Sequence, residues 1–440
     1  MRQMKDSGIE WIGEIPEGWE VRKIKNIASE KNSLFMDGDW IESDIIEDTG
    51  IRYLTTGNIG SLSFKEQGSG YISENTFKKL NCLPVYPGDL AISRLNEPLG
   101  RACFIPNNES KYVVAVDIVI LRPDKSICAN YIRYYMNIEA YNSYVKLYSR
   151  GTTMPRVSRT ILGNMPIPLP PLAEQQHIAD YLDAKCAHID QCLELTRQSM
   201  EKLRAYKLSC ITEAVTKGLD PDVPLKDSGV PWIGQIPARW QCLPLKWITS
   251  SIKTGSTPKG AEEKYYAEEG LKWFTPSDFT HFPYIEDAAK KLSKIGAQEV
   301  KVFPKNSILL IGIGATMGKV SLSRTKCSSN QQINAIRCNA NISPLFITFY
   351  LSTITDYLFK CGKFTTMPIL NQEETKKIPL PLPPLPEQER IAAYLDKKCA
   401  RIDALLEEKQ ALLDKLAEYK KSLIFEYVTG KREVPSCWNR

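Results

Sequence analysis

The sequence predicts an α+β protein built twice. Two globular modules are each followed by a long α-helix, and the two helices form an antiparallel coiled coil with pseudo-two-fold symmetry. Three observations lead there: two separate sequence blocks that each recur, a proline- and glycine-free stretch closing each copy, and mixed strand-like and helix-like runs between them.

The repeat decides the organisation. Asp6-Ser-Gly-Ile-Glu-Trp-Ile-Gly-Glu-Ile-Pro-Glu-Gly-Trp19 returns as Asp227-Ser-Gly-Val-Pro-Trp-Ile-Gly-Gln-Ile-Pro-Ala-Arg-Trp240, with nine of fourteen positions identical. Pro168 to Asp190 returns as Pro381 to Asp403, with seventeen identities in twenty-three. The offsets are 221 and 213, so copy two is eight residues shorter between its blocks. The filling has diverged, leaving echoes such as Gly151-Thr-Thr-Met-Pro155 against Phe364-Thr-Thr-Met-Pro368. A shared frame with variable filling suggests two modules doing one job on two targets.

Residues 1–165 form the first module, with its repeat motif at 6–19. Strand-like runs at Arg52–Leu54, Leu90–Ser93 and Val113–Leu121 are broken by glycines and by Pro87-Gly88, and a helix-like stretch, Asn130–Tyr148, follows. Residues 166–219 form the first rod. Residues 220–377 form the second module, with its motif at 227–240, strands at Ser307–Ile313 and Ile333–Arg337, and a helix at Pro344–Phe359. Residues 378–440 form the second rod. Each rod follows a proline run, which suits the start of a helix and not its interior. Glu174–Thr216 and Glu387–Thr429 are each 43 residues without Pro or Gly. At 1.5 Å per residue either could extend about 65 Å.

Both rods carry an apolar seam at three- and four-residue steps. Ile178, Leu182 and Ile189 in copy one, and Ile391, Leu395 and Ile402 in copy two, mark it as partner-binding. The simplest partner is the other rod, returning antiparallel. Trp11 and Trp232 read as packing plugs or partner contacts, because both copies keep them unchanged. A two-fold body of this kind could touch two half-sites on duplex DNA, with the rods as a ruler.

Composition narrows the class. The chain has 440 residues, 43% hydrophobic and 25% charged, which excludes wholesale disorder. The net charge of +6 is compatible with nucleic acid. No apolar signal region opens the chain, and the longest apolar run, near Ile308–Met317, is too short to span a bilayer. A cytoplasmic protein is expected. Twelve cysteines show no Cys-x-x-Cys pair, and three histidines lie apart, so free thiols and no metal site are expected.

Cations gather where acids are absent. Tyr141–Ala173 holds Lys146, Arg150, Arg156 and Arg159 without Asp or Glu, and Ile311–Asn339 holds Lys319, Arg324, Lys326 and Arg337 likewise. Amides and hydroxyls are interleaved. Cations neutralise phosphates, while Arg, Asn and Gln can read base edges. The DNA-binding candidates are Arg94, Asn96, Arg101, Arg150, Thr152, Thr153 and Arg156 in copy one, and Lys319, Gln331, Gln332, Lys363, Thr365 and Thr366 in copy two. Gly312-Ile-Gly-Ala-Thr-Met-Gly-Lys319 follows a strand like a phosphate loop, but Ile313 stands where that motif needs its first Gly and Val320 replaces its hydroxyl. A nucleotide-using enzyme built on this loop is one alternative, and a coiled-coil scaffold without DNA is another.

The Asp-Ser-Gly-x-x-Trp-Ile-Gly-x-Ile-Pro opening, the Pro-Leu-Pro-Pro-Leu-x-Glu-Gln rod start and the exits Glu213-Ala-Val-Thr-Lys-Gly218 and Glu426-Tyr-Val-Thr-Gly-Lys431 resemble the specificity (S) subunit of Type I restriction–modification enzymes. The resemblance covers almost the whole chain. It implies that the modules are target-recognition domains, each reading one half of a split asymmetric DNA sequence. It implies a non-catalytic chain whose antiparallel helices dock two methyltransferase (M) subunits, joined by restriction (R) subunits. S-adenosylmethionine, Mg²⁺ and ATP would then belong to those partners, with none on this chain. The resemblance assigns no base-contacting residues.

Overall fold

The computed structural model describes residues 2–68, 70–259, 263–361, 363–364, 368–436 and 438. The chain divides into two compact units: Met1–Thr196 with Ala411–Arg440, and Arg197–Gln410. Each unit thus holds one module, part of its own rod and part of the other rod.

In the first unit Leu34–Asp37, Ile118–Arg122, Leu90–Ser93 and Ala102–Phe104 form an antiparallel sheet in that order. The central strand is apolar at successive positions because both faces are covered. Val119 and Leu121 join a core with Tyr131, Ile132 and Tyr135 from the helix Ala129–Tyr135. Ile118 and Ile120 face the opposite way and pack with Leu54 and Val114 of a second, three-stranded sheet. The second unit repeats the plan. Thr249–Thr254, Ile333–Cys338, Ile308–Ile311, Val320–Ser323 and Tyr284–Ile285 lie in that order. Ile308 and Leu310 pack with Phe346 and Tyr350, while Leu309 and Ile311 pack with Phe274 and Phe303.

The repeated blocks meet at the start of each rod. The proline runs are strands: Pro166–Leu169 pairs with Glu20–Lys23, and Pro379–Leu382 with Gln241–Pro244. A two-stranded ribbon is all edge, so it tolerates residues that cannot donate. Trp19 and Trp240 are fully buried, and their indole N–H groups donate to Glu174 and Glu387 at 3.2 and 3.1 Å. Tyr131 and Tyr350 hydroxyls donate to the carbonyls of Pro168 and Pro379. Gln175 is buried: its carboxamide oxygen accepts from Cys128 N and its nitrogen donates to Pro170 O, both at 2.8 Å. Gln388 does the same with Ser343 N and Pro383 O at 2.9 and 2.8 Å. The motifs are therefore joinery.

The rods are single helices, Leu172–Lys217 and Leu385–Val428. Inside the first unit they run antiparallel: Tyr181 meets Tyr427 with ring centroids 4.8 Å apart, and Lys420 Nζ lies 2.6 Å from Asp190 Oδ1. Inside the second unit Lys207 Nζ lies 2.6 Å from Asp403 Oδ1, and Arg390 Nη2 2.8 Å from Asp220 Oδ2. Asp190 and Asp403, like Lys207 and Lys420, are equivalents in the repeat, so one ion pair is made twice.

The seam needs correction as a surface for other subunits. Ile178, Leu182 and Ile189 lie in the core shared with the first module, and Ile391 and Leu395 in that of the second; Ile402 is buried too. Trp11 is half-buried against Tyr135 and Tyr144. Trp232 stacks on Tyr357 with centroids 3.6 Å apart while keeping one face exposed. The apolar residues that stay exposed on the rods are others, among them Leu195, Tyr206, Leu208, Leu405, Leu412 and Tyr419. Among the described residues ten cysteines are free thiols, no His/Cys/Asp/Glu group could hold a metal, and no helix is long and apolar enough to cross a membrane.

Replacing Gln175 by Ala strands a buried donor and a buried acceptor, and should cost about 2–4 kcal/mol. Gln388→Ala should cost a similar amount. Urea unfolding of the full chain checks both, and a midpoint unchanged in either variant would contradict the joint.

Candidate nucleic-acid interface

Three loops of the first module converge at one edge of its sheet. The first is the hairpin tip between Leu90–Ser93 and Ala102–Phe104, carrying Arg94, Asn96 and Arg101. Asn96 there takes a φ of 60°, a left-handed conformation that asparagine tolerates. The second is the turn of residues 115–117. The third is the loop of residues 150–156, closed by reciprocal backbone bonds between Arg150 and Arg156, both 2.9 Å. Asn96 N donates to Pro155 O, Val157 N to Arg94 O and Arg94 N to Asp117 O, so the backbone knits all three together.

Charge is arranged in layers. Arg94 is buried; its guanidinium donates to Val157 O and Val116 O and pairs with Asp37 at 3.0 Å and Asp117 at 3.8 Å. Arg101 is buried as well, and clamps Ile59 O, Asn96 O, Pro98 O and Thr56 O. Desolvation lowers the pKa of both, for Arg94 against the pull of Asp37 and Asp117. These two candidates are corrected: with their donors engaged inside the loops, they shape the edge and do not line it. The outer layer holds Arg156, paired with Asp117, and Arg159, 3.4 Å from Asp37. Arg150, Thr152, Thr153 and Asn96 are exposed. Asp37, Asp117 and Arg159 were not among the candidates. The first two lie outside the acid-free windows, so no charge run marks them.

The second module builds the same edge with an amide network in place of the ion pairs. Its hairpin tip lies between Ile308–Ile311 and Val320–Ser323, and Gly312 N donates to Gln332 O at 2.8 Å. Two antiparallel strands flank the Gly312–Lys319 segment and no helix follows it. It therefore lacks the helix N-terminus on which a phosphate loop depends, and the nucleotide-enzyme alternative is corrected. Lys319 is exposed. In the turn of residues 330–332, Asn330 Nδ2 donates to Gln332 Oε1 at 2.8 Å and Gln332 N to Asn330 Oδ1 at 3.1 Å. Gln331 points outward and its Oε1 accepts from Thr257 Oγ1 at 2.6 Å. Leu370 N donates to Gly312 O at 2.7 Å, tying in the third loop. Lys363 pairs with Ile369 through its backbone, matching Arg150 with Arg156. The Lys363 side chain, Thr365 and Thr366 lie outside the described residues.

The Type I restriction modification DNA specificity domain matches this chain twice, at residues 16–205 and 237–415. The chain is similar to a putative type I restriction enzyme MjaX specificity subunit of Methanocaldococcus jannaschii, 26% identical over 401 residues and 87% of each chain. It is also similar to the type I restriction enzyme EcoBI specificity subunit of Escherichia coli, 25% identical over 283 residues, 60% of this chain and 58% of that one. Its fold matches a chain solved in work on complex assembly and conformational transition of the type I R-M system, with a TM-score of 0.72 at 18% identity, covering 95% and 99% of the two chains. The HsdS subunit from Thermoanaerobacter tengcongensis gives a TM-score of 0.53 at 17% identity, with 95% and 98% covered. With both modules matched over most of its length, the chain belongs to the family of Type I restriction–modification DNA specificity domains.

Proposed function

We propose that this chain is the DNA-reading subunit of a restriction–modification complex. Each module reads one half of a bipartite, asymmetric target. The observation that carries the reading is the loop edge built once in each module: the same backbone frame holds a charged network in one and an amide network in the other. One frame with two fillings is what two different half-sites require.

In this reading cations make the phosphate contacts that fix register, and polar side chains choose bases. Arg150, Arg156 and Arg159 would hold the backbone at module one, and Lys319 at module two. Methyltransferase subunits, two in number, would dock on the rods, where Leu195, Leu412 and Tyr419 of the first unit and Tyr206, Leu208 and Leu405 of the second expose apolar surface. Restriction subunits would join through them. S-adenosylmethionine, Mg²⁺ and ATP would bind those partners, and adenines in each half-site would be the methylated bases. The complex would work in the cytoplasm.

Expression with the cognate methyltransferase subunit in a host free of adenine methylation should yield a split methylated motif. The motif should vanish when this chain is omitted, and its persistence would refute the reading. Exchanging residues 20–165 for another module should change one half of the motif and leave the other intact. Arg156→Ala should weaken DNA binding by the assembled complex about equally on all sequences. It should also reduce the slope of log affinity against log salt by about 0.9. An unchanged slope would remove Arg156 from the phosphate contacts.

A further inference from the structure

The two modules share a backbone device beside the turn of residues 115–117 in module one and 330–332 in module two. In module one Gly38 N donates to Ile118 O and Asp39 N to Val114 O, both at 2.8 Å. In module two Gly255 N donates to Ile333 O at 2.9 Å and Ser256 N to Ser329 O at 2.8 Å. A Cβ on either glycine would lie 2.3 Å from a carbonyl oxygen, that of Val114 or of Ser329. Glycine is thus what lets the strand pass so close to the turn. The match sets up equivalent positions: Trp40 corresponds to Thr257, and Val116 to Gln331.

The fillings at these positions are opposite in chemistry. Trp40 is 71% exposed, far from the usual fate of the largest apolar side chain, and Val116 in the turn is half-buried. In module two a hydroxyl and a carboxamide are hydrogen-bonded to each other. The amide nitrogen of Gln331 meets no acceptor among the described residues, and its oxygen keeps a second lone pair. The surroundings are stiff. Asn330 and Gln332 lock each other on either side, and Trp273 Nε1 donates to Ser256 O at 3.0 Å under the adjoining segment. A glutamine normally loses rotamer freedom when it binds, and here Thr257 has already restricted it.

We propose that residues 257 and 331 are the base-reading pair of module two, with Gln331 recognising an adenine edge in the major groove and Thr257 positioning its carboxamide. The inference rests on the DNA-reading function argued above. Adenine follows from the donor and acceptor pattern: N6 donates and N7 accepts, matching a carboxamide, whereas guanine offers two acceptors there. Module one, with Trp40 and Val116 in the same frame, reads its half-site at this place by apolar contact, or not by hydrogen bonds at all.

The test uses the full chain assembled with its methyltransferase subunit. Methylation maps are compared with competition binding to duplexes altered one base pair at a time. With Gln331→Ala, preference for adenine at one position of the module-two half-site should fall about ten- to hundred-fold. Every module-one position should be unchanged. Gln331→Glu should move the preference toward cytosine at the same position, since a carboxylate accepts from N4. Thr257→Val should loosen the same position, and Thr257→Ser should restore it, which a purely structural threonine would not do. A motif unaltered in all variants overturns the proposal. So does a loss shared by every duplex alike, which would make Gln331 a backbone contact or a folding residue. No split motif with the unaltered chain would overturn the DNA-reading function itself, and this inference with it.

Discussion

Each rod leaves its module through one buried carboxamide. Gln175 and Gln388 bond a backbone N–H of the module on one side and the carbonyl of the proline that follows the incoming strand on the other. No bulk apolar contact could do this, because burial is non-directional and a hydrogen bond is not. The direction matters because the helix behind it is long. At about 1.5 Å per residue, a small error at the first turn grows along the 46 residues of Leu172–Lys217. The indole of Trp19 or Trp240 on the neighbouring glutamate, and the tyrosine hydroxyl on the proline ribbon, brace the same corner.

Much of this frame is legible in the sequence. A run free of proline and glycine located both helices to within two residues, because those residues are the ones a helix interior excludes. Trp, Glu and Gln are kept between the copies, and the indoles of Trp19 and Trp240 donate to Glu174 and Glu387 while Gln175 and Gln388 donate to the proline runs. The alternation of the central strands between two cores was harder to see. A strand covered on both faces loses the apolar–polar rhythm that announces it, as Ile118–Leu121 does.

The interface was legible by region more than by residue. The acid-free windows cover only some of the converging loops, residues 150–156 in module one and 312–319 and 330–332 in module two, and charge density could not tell an exposed arginine from a buried one. Arg94 and Arg101 differ from Arg156 through partners distant in sequence: Asp37 for Arg94, and the carbonyls of Thr56 and Ile59 for Arg101. The sheet topology brings those groups together, and no local pattern encodes it. Thr257 was missed for the same reason: 74 residues separate it from Gln331.

The contrast between an edge braced by ion pairs and one braced by amides bears on how each module can change over generations. Arg94 sits buried with two aspartates as its compensation. Losing either leaves the guanidinium short of counter-charge; both aspartates are partly exposed, so the cost falls below the about 3–5 kcal/mol of a fully buried pair. Changes to that buried network must therefore arrive through coordinated replacements, because its members are coupled. The amides and hydroxyls of the other edge carry no such debt, since an uncharged side chain can be exchanged singly for another. Two halves of one inherited frame would then drift at unequal tempos, the amide half exploring new half-sites while the ionic half holds its own.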